Sequence, residues 1–146
     1  MAATPGGPDV SMKLTRASSY ALHAVAYMAT QKQQDKPVAS HHIAQARGIP
    51  ERFLLKVLKP LVQAQVLRSI KGPNGGYKLA KPPSEITLLE VLEAAEGGPI
   101  RGSAPVIENG NGPLHGKLET ICKQTADLTR KHLEKIHISD LLGGKK

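Results

Sequence analysis

The sequence predicts a mainly α-helical fold: a winged helix-turn-helix with a small β-hairpin wing, followed by a long C-terminal helix. Apolar-striped helices separated by a glycine-proline turn indicate the helix-turn-helix, and the basic, glycine-rich hairpin that follows them indicates the wing. An apolar stripe at near-heptad spacing close to the C-terminus indicates the long helix. The length of 146 residues suits one compact core with an appendage.

Basic residues are concentrated in the first half of the chain. Residues 13–82 contain twelve Lys and Arg against two acidic residues, whereas residues 83–146 contain eight against nine. This asymmetry predicts a polyanionic partner for the first half. Three Tyr, one Phe and no Trp leave few platforms for base stacking, so double-stranded DNA is favoured over a single strand.

Composition argues against several classes of protein. No run of about 18 apolar residues could span a membrane, and residues 1–11 lack the order of a secretory signal. The single cysteine, Cys122, agrees with a reducing compartment. We therefore expect a cytoplasmic protein without a membrane partner, with residues 1–11 as a disordered leader and residues 143–146 as a tail. Catalytic pairs and phosphate loops with coherent spacing are missing, so we expect neither enzymatic activity nor a cofactor.

The helix-turn-helix is predicted from three helices. The first should run from about Arg16 to Gln31 with Thr15 as its cap, and the second should span Ser40–Arg47 before Gly48 ends it. The third starts after Pro50 and buries one face, while Pro60 predicts a kink or an irregular helix beyond Lys59. The predicted apolar face is Leu54, Leu58, Leu61 and Val62, and the predicted basic face is Arg52, Lys56, Lys59 and Gln63.

The wing is predicted from two strands, Val66–Lys71 and Tyr77–Ala80, around the loop at residues 72–76. Its glycines permit positive φ and close backbone approach. Arg68, Lys71 and Lys78 cluster around this loop. The cluster favours a basic wing over an ordinary hairpin turn.

The remaining residues predict a dimerisation region. Thr87 begins a capping box for a fourth helix to about Ala95, which completes a DNA-binding domain over residues 12–98. A flexible loop over residues 99–113 then leads to a long helix, Leu114–Ile136, in a dimerisation region at 114–142, with Ile138–Leu142 as a final turn against the dimer. The predicted homodimer interface is Leu114, Leu118, Ile121, Cys122, Thr125 and Leu128.

A family resemblance rests on six segments of the chain: Met12–Thr15, Tyr20–Leu22, Gly48–Pro50, Phe53–Leu54, Lys71–Ala80 and Ile86–Val91. The chain resembles the bacterial winged-helix, Rrf-type transcription regulators typified by IscR, NsrR and CymR. The resemblance implies a homodimer on a roughly palindromic operator, with the third helix in a major groove, the wing along a minor groove, and repression as the expected outcome. The implied DNA contacts are Lys13, Thr15, Tyr20, Arg52, Phe53, Lys56, Lys71 and Asn74; the charge pattern adds Lys59, Arg68 and Lys78.

The chain departs from these regulators at two places. Many of them have three cysteines before the dimerisation helix that hold an iron–sulfur cluster, and this chain has none there. Gln65 stands where they usually have glycine, so that a left-handed conformation would be strained.

Three alternatives remain open. His115, Glu119 and Cys122 share one helix face, as a dimer-shared zinc site requires, although a small buried thiol is the simpler interpretation. Cys122 could also respond to redox change. A protein-interaction module is the third alternative, and an unknown effector is compatible with each of them.

Overall fold

The computed structural model describes residues 14–104 and 112–142 and confirms the predicted fold class. Predictions for Lys13, the leader, residues 105–111 of the loop and the tail lie outside these residues. No helix in the described ranges has the length and apolarity needed to cross a membrane. The elements are α1 (Arg16–Ala29), α2 (Ser40–Arg47), α3 (Glu51–Gln63), β1 (Leu67–Ile70), β2 (Gly76–Leu79), α4 (Leu88–Glu96), α5 (Pro113–Glu134) and α6 (Ile138–Leu141), with a 3-10 turn at Pro83–Glu85.

Helix α1 is capped as predicted but is shorter. The Thr15 hydroxyl oxygen accepts a hydrogen bond from the Ser18 N–H at 3.0 Å. The helix ends at Ala29 rather than Gln31, where the Thr30 hydroxyl and the Gln31 side-chain amide donate to the Tyr27 carbonyl at 2.7 and 3.0 Å. These side chains satisfy a carbonyl that a further helical turn would otherwise use.

Helix α3 buries one face against α1 and α4. Leu54, Leu58 and Leu61 are fully buried as predicted, but the face also includes buried Val57, and Val62 is only half-buried. Of the two alternatives predicted at Pro60, irregularity beyond Lys59 is wrong, because α3 continues through Pro60 to Gln63, and the kink stays a prediction. Proline removes only one amide donor from the helix, and the buried leucines on either side hold this segment in the core.

The wing is an antiparallel hairpin whose first strand is shorter than predicted and whose second strand lies one residue earlier in the chain. Leu67 pairs with Leu79 and Arg68 with Lys78, so the strands are Leu67–Ile70 and Gly76–Leu79. Val38 extends the pairing, since its N–H and carbonyl each bond to Tyr77 at 2.8 Å. The loop after α1 is thereby attached to the wing.

The C-terminal residues return to the winged domain of their own chain. Thr87 and Glu90 form the predicted capping box of α4, and Gly97 ends that helix with a φ of 86°. The Leu88 N–H donates to the Ile136 carbonyl at 2.7 Å, and the Ile138 N–H donates to the Ile86 carbonyl at 2.8 Å. Ile138 is buried in the winged-domain core, so the final turn packs on its own chain rather than standing free for a partner.

Gln65 occupies the left-handed turn between α3 and β1. With a φ of 65°, it is the one non-glycine residue of positive φ in residues 14–104 and 112–142. The Gln65 N–H donates to the Val62 carbonyl and the Val66 N–H to the Leu61 carbonyl, each at 3.0 Å. These bonds end α3 and hold Gln65 in a conformation that costs a side-chain-bearing residue roughly 1–2 kcal/mol.

We predict that Gln65→Gly raises the free energy of unfolding by about 0.5–1 kcal/mol. Relief of the left-handed strain should exceed the extra entropy that glycine gives to the unfolded chain. Urea denaturation of the two proteins measures the difference. Gln65→Ala is the matched control because it keeps Cβ, and an equal gain in that variant would contradict the strain argument.

Candidate nucleic-acid interface

The outer face of α3 carries the first group of predicted DNA contacts. Arg52, Lys56 and Lys59 are exposed, whereas Leu54 and Leu58 on the opposite side are fully buried. Within residues 14–104 and 112–142, no carboxylate lies within ion-pair distance of these three cations. This face of α3 therefore presents uncompensated positive charge to solvent.

Phe53 lies beside two of these cations. Its ring is half-buried, and the Arg52 guanidinium carbon and the Lys56 Nζ lie 4.8 and 5.9 Å from the ring centroid. The face of an aromatic ring attracts cations at such distances. Phe53 thus favours an arrangement in which Arg52 and Lys56 stay together near the start of α3.

Glu51 is the one acidic residue of α2 and α3. The Ser40 hydroxyl at the start of α2 donates to Glu51 Oε2 at 2.7 Å. A carboxylate in the first turn of α3 also suits the positive end of the helix dipole. The carboxylate is held at the junction of α2 and α3.

The wing carries a second group of cations. Arg68 lies directly opposite Lys78 in the hairpin, and like charges in this position destabilise a sheet by roughly 0.2–1 kcal/mol. Within the described ranges neither cation has an acidic side chain at ion-pair distance. A bound anion would relieve this repulsion.

Lys71 and Asn74 lie at the exposed tip of the wing. The tip depends on close backbone approach, because a Cβ at Gly76 would collide with the Val38 carbonyl and one at Gly75 with the Ile70 carbonyl. Gly72 has a φ of 109°. The predicted use of these glycines is confirmed, and it places Lys71 and Asn74 at the outermost point of the hairpin.

The predicted contacts at the start of α1 are differently placed. The Thr15 hydroxyl is used by the helix cap and also bonds to the Glu96 carboxylate. Tyr20 is half-buried against the core, and Lys13 lies outside the described residues. The two side chains that the structure describes here, Thr15 and Tyr20, therefore both support the fold.

Two exposed cations beside the wing escaped the sequence analysis. Lys32 and Lys36 lie in the loop that Val38 attaches to Tyr77. In the sequence they are simply two basic residues in a polar loop, which does not indicate a place near the wing. No local pattern predicts a backbone pairing between residues so far apart in the chain, so the link to the wing required the structure.

Helix α5 exposes most of the predicted dimer stripe. Leu114, Leu118, Ile121 and Leu128 are 70, 44, 55 and 68% exposed, Thr125 is exposed, and Cys122 is half-buried. From Leu114 the stripe continues through Leu118, Ile121, Thr125 and Leu128, at intervals of four, three, four and three residues. This is the spacing of a helix–helix seam. Ala126 and Leu133, roughly 110° around the helix from this stripe, are buried, so α5 packs on its own chain through a neighbouring face.

Comparison with known proteins identifies the family. The Rrf2 family model, described as an iron-dependent transcriptional regulator, matches residues 14–144. The chain belongs to the Rrf2 family. A Mycobacterium tuberculosis relative, named as HTH-type transcriptional regulator MT1325, is 32% identical over 136 residues, which cover 91% of this chain and 83% of that protein.

Other Rrf2 relatives match over a shorter length. Protein aau3 of Rhizobium meliloti is 38% identical over 85 residues, which cover 58% of this chain and 54% of that relative, so the chain spans about half of its length. Among solved structures, CymR, the global cysteine regulator of Bacillus subtilis, has a TM-score of 0.71 and 27% identity over 93% of this chain and 100% of its own. IscR of T. potens has the same fold, with a TM-score of 0.67 and 22% identity over 90% of this chain and 87% of its own.

The iron-dependent description of the Rrf2 family does not fit the donor set of this member. An iron–sulfur cluster needs several thiolates, and the sequence contains only Cys122. The alternative metal site is also incomplete within one chain: Glu119 Oε1 accepts a hydrogen bond from the Ala104 N–H at 2.6 Å, and the described residues hold no group of three or more metal-ligating side chains. One chain therefore supplies neither ligand set.

The segment before α5 is held by carboxylates. Glu93 Oε2 accepts hydrogen bonds from the Ile100 N–H and from Arg130 Nε, each at 2.8 Å, and thereby joins α4, this segment and α5. Glu119 holds Ala104, and Gly102 lies so close to the Cys122 carbonyl that a Cβ would collide with it. The Arg130 guanidinium lowers the pKa of Glu93 below its usual value, and the Ile100 N–H lowers it further, while burial acts in the opposite direction.

We predict that Glu93→Gln destabilises the fold at neutral pH and that its effect shrinks in acid. Because the folded-state pKa lies below the unfolded value of 4.5, ionised Glu93 stabilises the fold above that pH and loses the contribution as pH falls through the folded pKa. Urea denaturation from pH 7 to pH 3 measures the difference. Asp35→Asn, which changes an exposed carboxylate in the loop after α1, is the control, and a constant difference for Glu93→Gln across this range would contradict the linkage.

Proposed function

We propose that the chain is a sequence-specific DNA-binding transcription regulator, and a repressor, that binds a roughly palindromic operator as a homodimer in the cytoplasm. The observation that carries this proposal is the basic face, defined as Arg52, Lys56 and Lys59 on α3 with Arg68, Lys71 and Lys78 on the wing. Its cations, of which only Lys78 is half-buried, have no carboxylate at ion-pair distance in the described residues, and two of them repel each other across the hairpin. The names of the Rrf2 relatives as transcriptional regulators support it.

Each part of the basic face has a separate role in the proposal. The first turns of α3 enter the major groove, where Arg52 and Lys56 can bond to guanine acceptors. The wing follows the backbone beside a minor groove, where Lys71, Asn74 and Lys78 contact phosphates and carry little sequence information. Lys59 and Arg68 add positive charge between these two parts.

Arg52→Ala tests base reading against simple charge attraction. On a duplex selected from a random library by the wild-type protein, it should lose about 1–3 kcal/mol of binding free energy, with a much smaller loss on a scrambled duplex. Lys71→Ala is the control: it should weaken binding to both duplexes alike and reduce the salt slope by about one. Fluorescence anisotropy across a salt series measures both. Equal losses of binding free energy for Arg52→Ala on the two duplexes would mean that Arg52 contacts phosphate rather than a base. Binding of the wild-type protein without salt dependence would contradict the basic-face proposal.

The homodimer is proposed from the exposed stripe of α5. Leu114, Leu118, Ile121 and Leu128 leave a large apolar surface in solvent, and a second copy of the helix would cover it. Two copies would place two α3 helices on one duplex, which suits a palindromic site.

Ile121→Asp should shift the protein from dimer to monomer. A carboxylate without a partner at the centre of the seam should weaken association by at least about 3 kcal/mol, and loss of tethering should abolish tight binding to a two-half-site duplex. Analytical ultracentrifugation and anisotropy measure the two effects. Thr120→Asp makes the same charge change one residue away, off the stripe, and should remain dimeric. A wild-type monomer that binds tightly would overturn the dimer proposal.

A further inference from the structure

Leu55 is an apolar side chain on the basic side of α3. It is 42% exposed, whereas Leu54 and Leu58 are fully buried. A single exposed leucine is common on protein surfaces, so exposure alone assigns no role to it. Its position is more informative, because Leu55 lies three residues after Arg52 and four before Lys59, which places it one helical turn from each cation on the exposed side.

The chemistry of Leu55 limits what it could read in a duplex. A leucine neither donates nor accepts hydrogen bonds, and the apolar feature that the major groove displays is the C5-methyl group of thymine. Contact with that methyl group would remove apolar surface of both partners from water. The Glu51 carboxylate, which could instead accept a bond from cytosine, is held by Ser40.

We propose that Leu55 is a specificity-determining residue that contacts a thymine methyl group in each half of the operator. The inference rests on the proposed function, because it requires α3 to enter the major groove. Along the helix axis Leu55 is about 4.5 Å from Arg52, and one base-pair step is about 3.4 Å. The thymine therefore lies within one or two base pairs of the base that Arg52 contacts.

Removal of single methyl groups tests the contact. In a duplex selected from a random library by the wild-type protein, each thymine is replaced in turn by deoxyuridine, which keeps the hydrogen-bonding edge and removes only the methyl group. Replacement at one position of each half-site should weaken binding of the wild-type protein about fourfold. This is the effect of no longer burying one methyl group. Leu55→Ala should bind the parent duplex more weakly and show no further loss at that position. Leu55→Met keeps an apolar side chain and is the matched control, which should retain the deoxyuridine penalty.

The outcomes separate this inference from the proposed function. Because Leu55 is exposed, both variants should keep the thermal midpoint of the wild-type protein, which checks the fold independently. Tight binding with the same deoxyuridine penalties in the wild-type protein and Leu55→Ala would overturn the methyl contact and leave the proposed function standing. A selected site without thymine near the Arg52 base would overturn it in the same way. Failure of the wild-type protein to prefer any duplex would overturn both.

Discussion

Burial of one face of α3 between α1 and α4 is the constraint on which the rest of this structure depends. Leu54, Leu58 and Leu61 have no exposed surface, so the rotation of α3 about its axis is determined by the core. The same rotation turns Arg52, Lys56 and Lys59 to solvent, because residues three, four and seven apart share a helix face. The interface is therefore a consequence of how the core packs.

Two features of the outer surface lower the stability of the folded chain. Arg68 opposes Lys78 across the hairpin, and Gln65 holds a left-handed turn that glycine would adopt without strain. Gln65 lies between α3 and the wing, whereas Arg68 and Lys78 lie in the two strands of the wing. The opposed cations of the wing cost stability in the free protein, and a bound anion would relieve that cost.

The segment before α5 shows how this Rrf2 member connects its two regions without a set of cysteines. Glu93 joins Ile100 to Arg130, and Glu119 holds Ala104, so carboxylates fasten residues 100–104 to α4 and α5. Gly102 allows the chain to lie against the α5 backbone at Cys122. The position of α5 relative to α4 thus depends on the ion pair between Glu93 and Arg130, which is lost as pH falls through the lowered pKa of Glu93.

The sequence by itself determined the fold class, the helix caps, the Gly48 turn, the wing and the exposed stripe of α5, because these follow from local periodicity and from residues with special backbone preferences. The strain at Gln65 was predicted from the family resemblance, because the related regulators usually have glycine there. Only the tertiary structure decided that Val57 is buried and Leu55 exposed, that Val38 pairs with Tyr77, and that Glu93 joins Ile100 to Arg130. It also carried α3 through Pro60 and returned Ile138 to the winged-domain core. These features depend on contacts between residues distant in the chain, and the free energy of such contacts is not expressed in any local pattern.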